Sequence, residues 1–300
     1  MIAADERAAM VALLRTGRRP WVEYAERVEE LGSAAAALKQ EFAGPDATGQ
    51  TSMLDAPPQD LDELLAQSTA DLERWSERGL RLITVLDPGY PPNLRAVHDR
   101  PPMVFVAGAL TPADAHAVAV VGAREATHDG VRKASTIAEH LVDSGYTVVS
   151  GLAAGIDTAA HTAALARGGR TVAVIGTGLE RSYPPQNAAL QRRIASECAV
   201  VSQFWPDAPP SRRSFPMRNA VMSGVTLATV VVEASETSGA RMQARLACAQ
   251  GRPVFLLASL VERQHWAREY AARAGTTVIR SPEEITTVLE RLISPGSLVA

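Results

Sequence analysis

Residues 228–259 read ATVVVEASETSGARMQARLACAQGRPVFLLAS, and this stretch decides the fold. Its two apolar runs, 228–234 and 253–259, lack the polar–apolar alternation of a half-exposed strand. Such runs are typical of strands that are buried on both faces of a parallel sheet. Residues 238–251 between them have the length and composition of a helix. A strand, a helix and a second strand in this order predict one unit of an α/β fold.

The same pattern repeats toward the amino terminus. Further apolar runs without alternation lie at 117–123, 146–151, 171–176 and 199–204. Because helical segments separate these runs, the sequence predicts an α/β fold with an extended Rossmann-like, doubly wound and mainly parallel sheet. A late strand, TTVIR, and a final helix capped by Ser281 continue the alternation.

The amino-terminal part of the chain predicts a different organisation. Residues 1–43 have the apolar spacing of short helices and form a small helical region, whereas 44–59 are rich in Gly, Pro, Ser, Thr and Asp and are predicted to be a linker. Residues 60–300 are predicted to form the Rossmann-like domain, with its core at 117–280. This domain begins with a helix that ends at Gly79.

Composition limits the classes of function. The net charge of −3 and the pI of about 6.1 exclude a surface that binds polyanions everywhere. Between residues 181 and 218, however, six arginines occur with only two acids, which predicts a local cationic patch. The two cysteines are too few and too far apart for a zinc site or a disulfide framework. We predict no metal, no cofactor and no membrane contact, and a cytoplasmic location.

The predicted strands end in small or polar residues. Carboxyl ends of parallel strands meet at one edge of a sheet, where ligands bind, and helix starts behind small residues favour phosphate. The alternative is that these turns need glycine for their geometry, and that Arg124 forms a surface ion pair with Glu125 or Asp129. Because several strand ends coincide, we predict a phosphate-binding crevice. Its candidate residues are Gly122, Ala123, Arg124, Ser150, Gly151 and Gly178.

The stretch SRRSFPMRN, residues 211–219, precedes the strand at 228–234 and so lies near the same edge. Arg212, Arg213 and Arg218 can follow a chain of phosphates, and Phe215 offers a face for stacking. Cations and an aromatic ring together are typical of sites for unpaired nucleic-acid strands, because a duplex does not expose its base faces. The alternative is a solvated loop that Phe215 anchors.

Motifs of enzymes are incomplete or missing. No Walker sequence occurs, and the G-x-G-x-x-G that starts at Gly176 has Arg181 in its third place. Asp157, His161 and Glu233 would suit a hydrolase, but Asp157 also fits a helix start and His161 a packed core position. We therefore predict no catalytic residue and no enzymatic activity.

Taken in order, the motifs VVGAR, GLAAGIDTAAH, FPMRN, VVVEASETSGA and ARLACAQGRPVF resemble the DprA/Smf family of DNA-processing proteins. The resemblance runs from Val120 to Pro253 and extends weakly toward the amino terminus. It implies a Rossmann-like domain that binds single-stranded DNA, forms homodimers, protects incoming DNA and delivers it to the RecA recombinase in natural transformation. The family residues that match positions here are Gly122, Ala123, Arg124, Arg212, Phe215, Pro216, Arg218, Asn219, Ser238 and Gly239.

The chain also departs from the family pattern. Ala154 and Ala220 stand where the family has arginines, and Gln203 stands where it has a glutamate. These changes leave two other functions open. One is a nucleotide sensor or nucleotide hydrolase that uses the same crevice, although EASETSGARMQ does not match the glycine-rich turn of hydrolytic relatives. The other is a degenerate paralogue that keeps only protein partners.

Overall fold

The chain folds around one mixed sheet. The computed structural model describes residues 4–43 and 61–293, and within these residues the sheet has nine strands. They are β1 (Leu80–Thr84), β2 (Met103–Gly108), β3 (Ala117–Val121), β4 (Thr147–Ser150), β5 (Thr171–Val174), β6 (Ala199–Ser202), β7 (Ala228–Val231), β8 (Val254–Leu257) and β9 (Thr276–Ile279).

The same described residues form thirteen α-helices. They are α1 (Ala4–Arg15), α2 (Trp21–Leu31), α3 (Ala34–Phe42), α4 (Leu61–Glu77), α5 (Pro92–Arg95), α6 (His128–Asp143), α7 (Ile156–Ala166), α8 (Ala188–Glu197), α9 (Ser214–Gly224), α10 (Gly239–Ala249), α11 (Ala258–Arg263), α12 (His265–Ala271) and α13 (Glu283–Ile293). No helix in this part of the chain is long and apolar enough to span a lipid bilayer.

The order of the strands confirms the predicted α/β class with a mainly parallel sheet. Neighbours follow the order β1-β2-β6-β5-β4-β3-β7-β8-β9. The strands from β6 through β3 and β7 to β9 pair in parallel, whereas β1 pairs antiparallel with β2 and β2 pairs antiparallel with β6. The chain winds one way from β3 to β6 and the other way from β7 to β9. The winding therefore reverses between β3 and β7, where sheets of this kind bind ligands.

The antiparallel edge was not predicted from the sequence. In β1 the buried residues Leu80, Leu82 and Thr84 alternate with more exposed ones, as in a strand with one solvated face. In β3, by contrast, all five residues are buried, because helices cover both faces of the parallel part. The apolar runs that decided the fold class thus belong to the centre of the sheet.

The amino-terminal helices pack against this sheet through aromatic side chains. Trp205, in the loop after β6, has its ring centroid 5.8 Å from that of Trp21 in α2 and 6.0 Å from that of Trp75 in α4. The guanidinium of Arg15 lies 5.5 Å from the same ring centroid. The predicted linker, 44–59, lies outside the described residues, so the division into a helical region and a Rossmann-like domain stays a prediction.

Candidate nucleic-acid interface

A crevice of about 640 Å³ opens at the carboxyl ends of β3 and β7, where the winding of the sheet reverses. The loops after these strands and the first turns of α9 and α10 form its walls. The crevice brings together eight of the predicted site residues, which are Gly122, Ala123, Arg124, Phe215, Arg218, Asn219, Ser238 and Gly239.

A smaller cavity of about 120 Å³ adjoins the crevice above β4 and β5. Arg124 and Phe215 line both spaces. Gly176 lines the smaller one, and a Cβ there would lie 2.9 Å from the ring of Phe215, so only glycine allows this ring to lie so close to the strand end. Phe215 therefore forms the boundary between the two cavities.

Arg124 lies beside the ring of Phe215. Its guanidinium carbon is 5.2 Å from the ring centroid, within the range of a cation–π contact. The alternative of a surface ion pair is not what the structure shows, because Asp129 binds Arg132 and Lys133 instead. Arg124 is exposed and makes no ion pair within the described residues. Its charge is thus available to an anion.

Two further arginines precede α9. Arg212 and Arg213 are exposed, and neither has a hydrogen-bond or ion-pair partner in the part of the chain that the structure describes. Phe215 follows them in the first turn of the helix and is partly buried. Arg212 and Arg213 thus lie within three residues of Phe215 at the start of α9, and Arg124 contacts the Phe215 ring.

Tyr183 is a residue of this surface that the sequence analysis did not select. It lies in the loop after β5, its ring centroid is 5.5 Å from that of Phe215, and it is 41% exposed. The sequence signal was an aromatic residue in the loop after a predicted strand, close to the glycines of the predicted crevice. Tyr183 and Phe215 together provide two aromatic faces on which nucleobases can stack.

Arg218 has a different environment from the other arginines. It is 6% exposed, and its Nη1 donates hydrogen bonds to the carbonyl oxygens of Gly151 and Val174, the latter at 3.0 Å. Burial lowers the pKa of Arg218, and the charge of Asp157 opposes this shift. Arg218 lines the crevice from within the fold, so it holds the loops after β4 and β5 in place rather than extending toward solvent.

Asp157 shares this buried environment. Its carboxylate accepts hydrogen bonds from the backbone N–H groups of Gly151 and Ala153, at 3.1 and 3.3 Å. Burial raises the pKa of Asp157, while the charge of Arg218 and these hydrogen bonds lower it. The carboxylate therefore fixes the loop between β4 and α7. This agrees with the interpretation of Asp157 as a residue of the helix start.

Ser150 and Gly178 are two further predicted site residues that are buried in the fold. The Oγ of Ser150 donates to the carbonyl oxygen of Val120 at 2.6 Å and joins β4 to β3. Gly178 is buried where a Cβ would overlap the carbonyl oxygens of Trp205 and Pro206. Neither residue lines the crevice or the smaller cavity, which corrects the expectation that they face the ligand.

Glu233 occupies the start of α6, a helix start of the kind that favours phosphate. Its carboxylate accepts hydrogen bonds from the N–H and the hydroxyl of Thr127, at 3.1 and 3.2 Å, just before α6. A negative charge is stabilising at this end of a helix dipole. The amino terminus of α6 is therefore occupied, whereas the exposed guanidinium of Arg124 remains available to an anion.

His161 is a core residue. It is fully buried, and its Nδ1 lies 2.7 Å from the Oγ1 of Thr171. That hydroxyl donates to the carbonyl oxygen of Val148, so the Nδ1–H of the neutral imidazole donates to Thr171. Burial lowers the pKa of His161 to about 3.

This burial predicts a loss of stability in acid. His161 binds a proton near pH 6.5 when unfolded but only near pH 3 when folded. The unfolded state therefore binds more protons between these two pH values. As the pH is lowered through this range, the free energy of unfolding decreases by up to about 1.4 kcal/mol per pH unit. Denaturant titrations from pH 7 to pH 4 should show that wild type loses this stability relative to His161→Gln. Equal pH profiles of the two proteins would contradict the assignment.

With this geometry established, comparison with known proteins shows the family. A family model described as DNA recombination-mediator protein A matches residues 81–290. The chain is 40% identical to Protein Smf of Synechocystis over 190 residues, which cover 62% of this chain and 48% of that protein. It is 35% identical to DNA processing protein DprA of Streptococcus pneumoniae over 208 residues, 69% of this chain and 73% of that protein. It is 39% identical to Protein Smf of Escherichia coli over 207 residues, 67% of this chain and 54% of that protein. The chain therefore spans about half the length of the two Smf proteins.

Solved structures show the same fold. The X-ray structure of DprA from S. pneumoniae aligns over 95% of both chains with a TM-score of 0.68 and 27% identity. The structure of DprA from Helicobacter pylori, which concerns its single-stranded DNA binding mode, aligns over 71% of this chain and 96% of that chain with a TM-score of 0.62 and 24% identity. Sequence and fold agree, and the chain belongs to the DprA/Smf family of DNA-processing proteins, the family of DNA recombination mediators.

Proposed function

We propose that this chain binds single-stranded DNA along the edge of the sheet at which β3 and β7 end. The observation that supports the proposal most strongly is the position of Arg124 beside Phe215, with Arg212 and Arg213 unpaired just before α9. Arginines contact the phosphates of an extended strand, while the faces of Phe215 and Tyr183 take bases that a duplex would keep stacked.

The charge distribution supports a local strand-binding surface. The chain as a whole carries a net charge of −3, so nucleic acid would be held at this edge and not over the whole surface. Ala154 lines the smaller cavity at a position where the family has an arginine. The arginine charge is missing at Ala154 and also at Ala220. We therefore expect this chain to bind phosphate more weakly than family members that have both arginines.

Membership of the DprA/Smf family supports a proposal for the role of this chain in the cell. The DprA protein of H. pylori binds single-stranded DNA. We infer the same ligand here, with no enzymatic activity, and propose that the chain acts in the cytoplasm as a homodimer that protects incoming strands and loads RecA on them in recombination and natural transformation. These partners are proposed because the chain belongs to this family, and the DNA contact is proposed from the residues described above.

Arg124→Ala and Arg212→Ala are each expected to weaken binding of an oligo-dT strand by about fivefold, because each removes one charged contact to phosphate. Each should also lower the slope of log K against log salt by about 0.7. Gel-shift or anisotropy titrations at two salt concentrations measure both quantities.

The matched control for these variants is Arg291→Ala. Arg291 is exposed in the last turn of α13, and it has no ion-pair partner among the residues that the structure describes. Its loss should change neither the affinity nor the salt slope. Unchanged affinity in both Arg124→Ala and Arg212→Ala would count decisively against the proposal.

A second candidate function is a nucleotide sensor or hydrolase, which the size of the crevice favours. Its volume of about 640 Å³ is within the range of small-molecule sites. Calorimetric titration with mononucleotides separates the two functions. A sensor binds a mononucleotide tightly, whereas a strand-binding protein needs several linked phosphates.

A further inference from the structure

A second cavity opens on the same edge of the sheet, at the carboxyl ends of β8 and β9. It has a volume of about 400 Å³, and α6, α11 and the start of α13 border it. Its charged lining residues are Arg132, Lys133, Glu262 and Arg280, and hydroxyl side chains complete its polar lining. No function assigned above uses this cavity.

Cations outnumber acids among the residues that line the cavity, which are Arg132, Lys133 and Arg280 against Glu262. Asp129 binds both Arg132 and Lys133, and its pKa is lowered first by the hydrogen bond from Lys133 and then by the charges of Lys133, Arg132 and Arg263. Outside the lining, Arg263 and the acids Asp129 and Glu284 lie close to the cavity, Glu284 through hydrogen bonds from the backbone of Arg280 and Ser281. The excess of positive charge therefore belongs to the lining itself, where Arg280 has no acidic partner in the described part of the chain.

Two of these cations are free to bind a ligand. Arg263 and Arg280 are both exposed, and neither makes a side-chain hydrogen bond or an ion pair within residues 4–43 and 61–293. The backbone N–H groups of Arg280 and Ser281 donate to the carboxylate of Glu284, so the start of α13 is already capped. An anion in the cavity would therefore be held by side chains and not by the helix dipole.

The chemistry of the lining favours phosphate over nucleobase. None of the side chains that line this cavity is aromatic, whereas Phe215 lines the first crevice and Tyr183 lines the smaller cavity that adjoins it. Guanidinium, ammonium and hydroxyl groups contact phosphate oxygens without reading the base. The cavity thus suits the backbone of a nucleic acid.

The second cavity lies next to the first crevice along the same edge of the sheet. Helix α11 contributes Ser259 and Glu262 to it, and Gln264, directly after that helix, lines the first crevice. Three strand spacings separate β3 from β9, a distance of about 14 Å. A few linked nucleotides cover such a distance, so one strand can reach both sites.

We propose that the cavity at β8 and β9 is a second phosphodiester site, through which a strand bound at Arg124 and Phe215 continues across the sheet. This inference rests on the proposed function. It predicts that short strands occupy only the first crevice, whereas longer strands contact Arg280 as well.

The test compares Arg280→Ala with wild type on oligo-dT of about 2 nucleotides, which is too short to span both sites, and of about 30 nucleotides. For the long strand we expect about threefold weaker binding and a salt slope lower by about 0.7, because one phosphate contact is lost. For the short strand we expect no change. Arg291→Ala is the matched control, since it removes an exposed arginine at the other end of α13, and thermal unfolding checks that the variants fold.

Each other outcome separates the two proposals. If Arg124→Ala weakens both lengths and Arg280→Ala weakens neither, the second site is wrong and the first stands. If Arg280→Ala weakens both lengths equally, its effect is one of general charge and the second site is also wrong. If inorganic phosphate stabilises wild type against heat but not Arg280→Ala, while long-strand affinity is the same in both, the site holds free phosphate and the proposed strand path is wrong. If Arg124→Ala weakens neither length, the proposed function itself fails.

Discussion

Arg218→Met is expected to lower the free energy of unfolding by about 3 kcal/mol, because the substitution leaves buried polar groups without partners. The carbonyl oxygens of Gly151 and Val174 lose their donor, and the buried carboxylate of Asp157 loses the cation that opposes its desolvation. Methionine fills most of the volume of the arginine, so the loss comes from electrostatics more than from a cavity. Denaturant unfolding at neutral pH measures it.

The loss should depend on pH. Without Arg218, the pKa of Asp157 rises further above its ordinary value of 3.8. An acid whose pKa is higher in the folded state destabilises the fold increasingly as the pH rises above the unfolded value. The deficit of Arg218→Met is therefore smallest in acid and grows toward neutral pH.

A double variant tests the electrostatic cause. Asp157→Asn removes the charge and keeps an oxygen that can accept from Gly151 and Ala153. In the Arg218→Met background it should restore part of the stability and flatten the pH profile. If the double variant loses the sum of the two single losses at every pH, Arg218 and Asp157 do not interact.

Gly155→Ala should lower the free energy of unfolding by about 3–4 kcal/mol, through backbone strain and steric overlap together. Gly155 has a φ of 76°, which side chains rarely adopt, and a Cβ there would overlap the carbonyl oxygens of Ala123 and Arg124, the latter at 2.6 Å. Because the loop that carries Arg124 must move, affinity for oligo-dT should fall together with stability.

Gly168→Ala is the control that separates strain from overlap. Gly168 has a φ of 72°, but no atom lies within 4 Å of the position of an added Cβ. This variant should lose about 1 kcal/mol from strain alone and keep its affinity for DNA. Equal losses in the two variants would show that the contact between Gly155 and the Arg124 loop is unimportant.

The central strands were predictable because a strand that is buried on both faces has an uninterrupted run of apolar residues. Strands such as β3 and β7 consist of uninterrupted apolar residues, which a solvated strand does not tolerate. The antiparallel strands β1 and β2 were missed because β1 is half exposed and β2 lies among prolines and turns. β2 pairs with β6 and β1 pairs with β2 at the edge of the sheet, and the sequence shows neither pairing.

The positive charge of the candidate interface was predictable from the sequence, but the direction of each side chain was predictable only in part. Arg124 follows a buried strand directly, so its place at the edge of the sheet followed from the topology. Arg218 looks like its neighbours in the sequence, and only its position on the inner side of α9 sends it into the fold. Leu152, with a φ of 57°, shows the same limit, because a leucine gives no signal of a left-handed backbone.

The packing of Trp205 has a consequence for how this chain can evolve. The loop that carries Trp205 leads directly to Arg212 and Phe215, and Trp21 and Trp75 hold it from the amino-terminal side. A smaller side chain at any of these three tryptophans would leave a void beside the loop. The three positions are therefore coupled, and a change at one of them favours compensating changes at the other two. The helices α2 and α4 thus constrain the sequence of a surface to which their own side chains make no direct contribution.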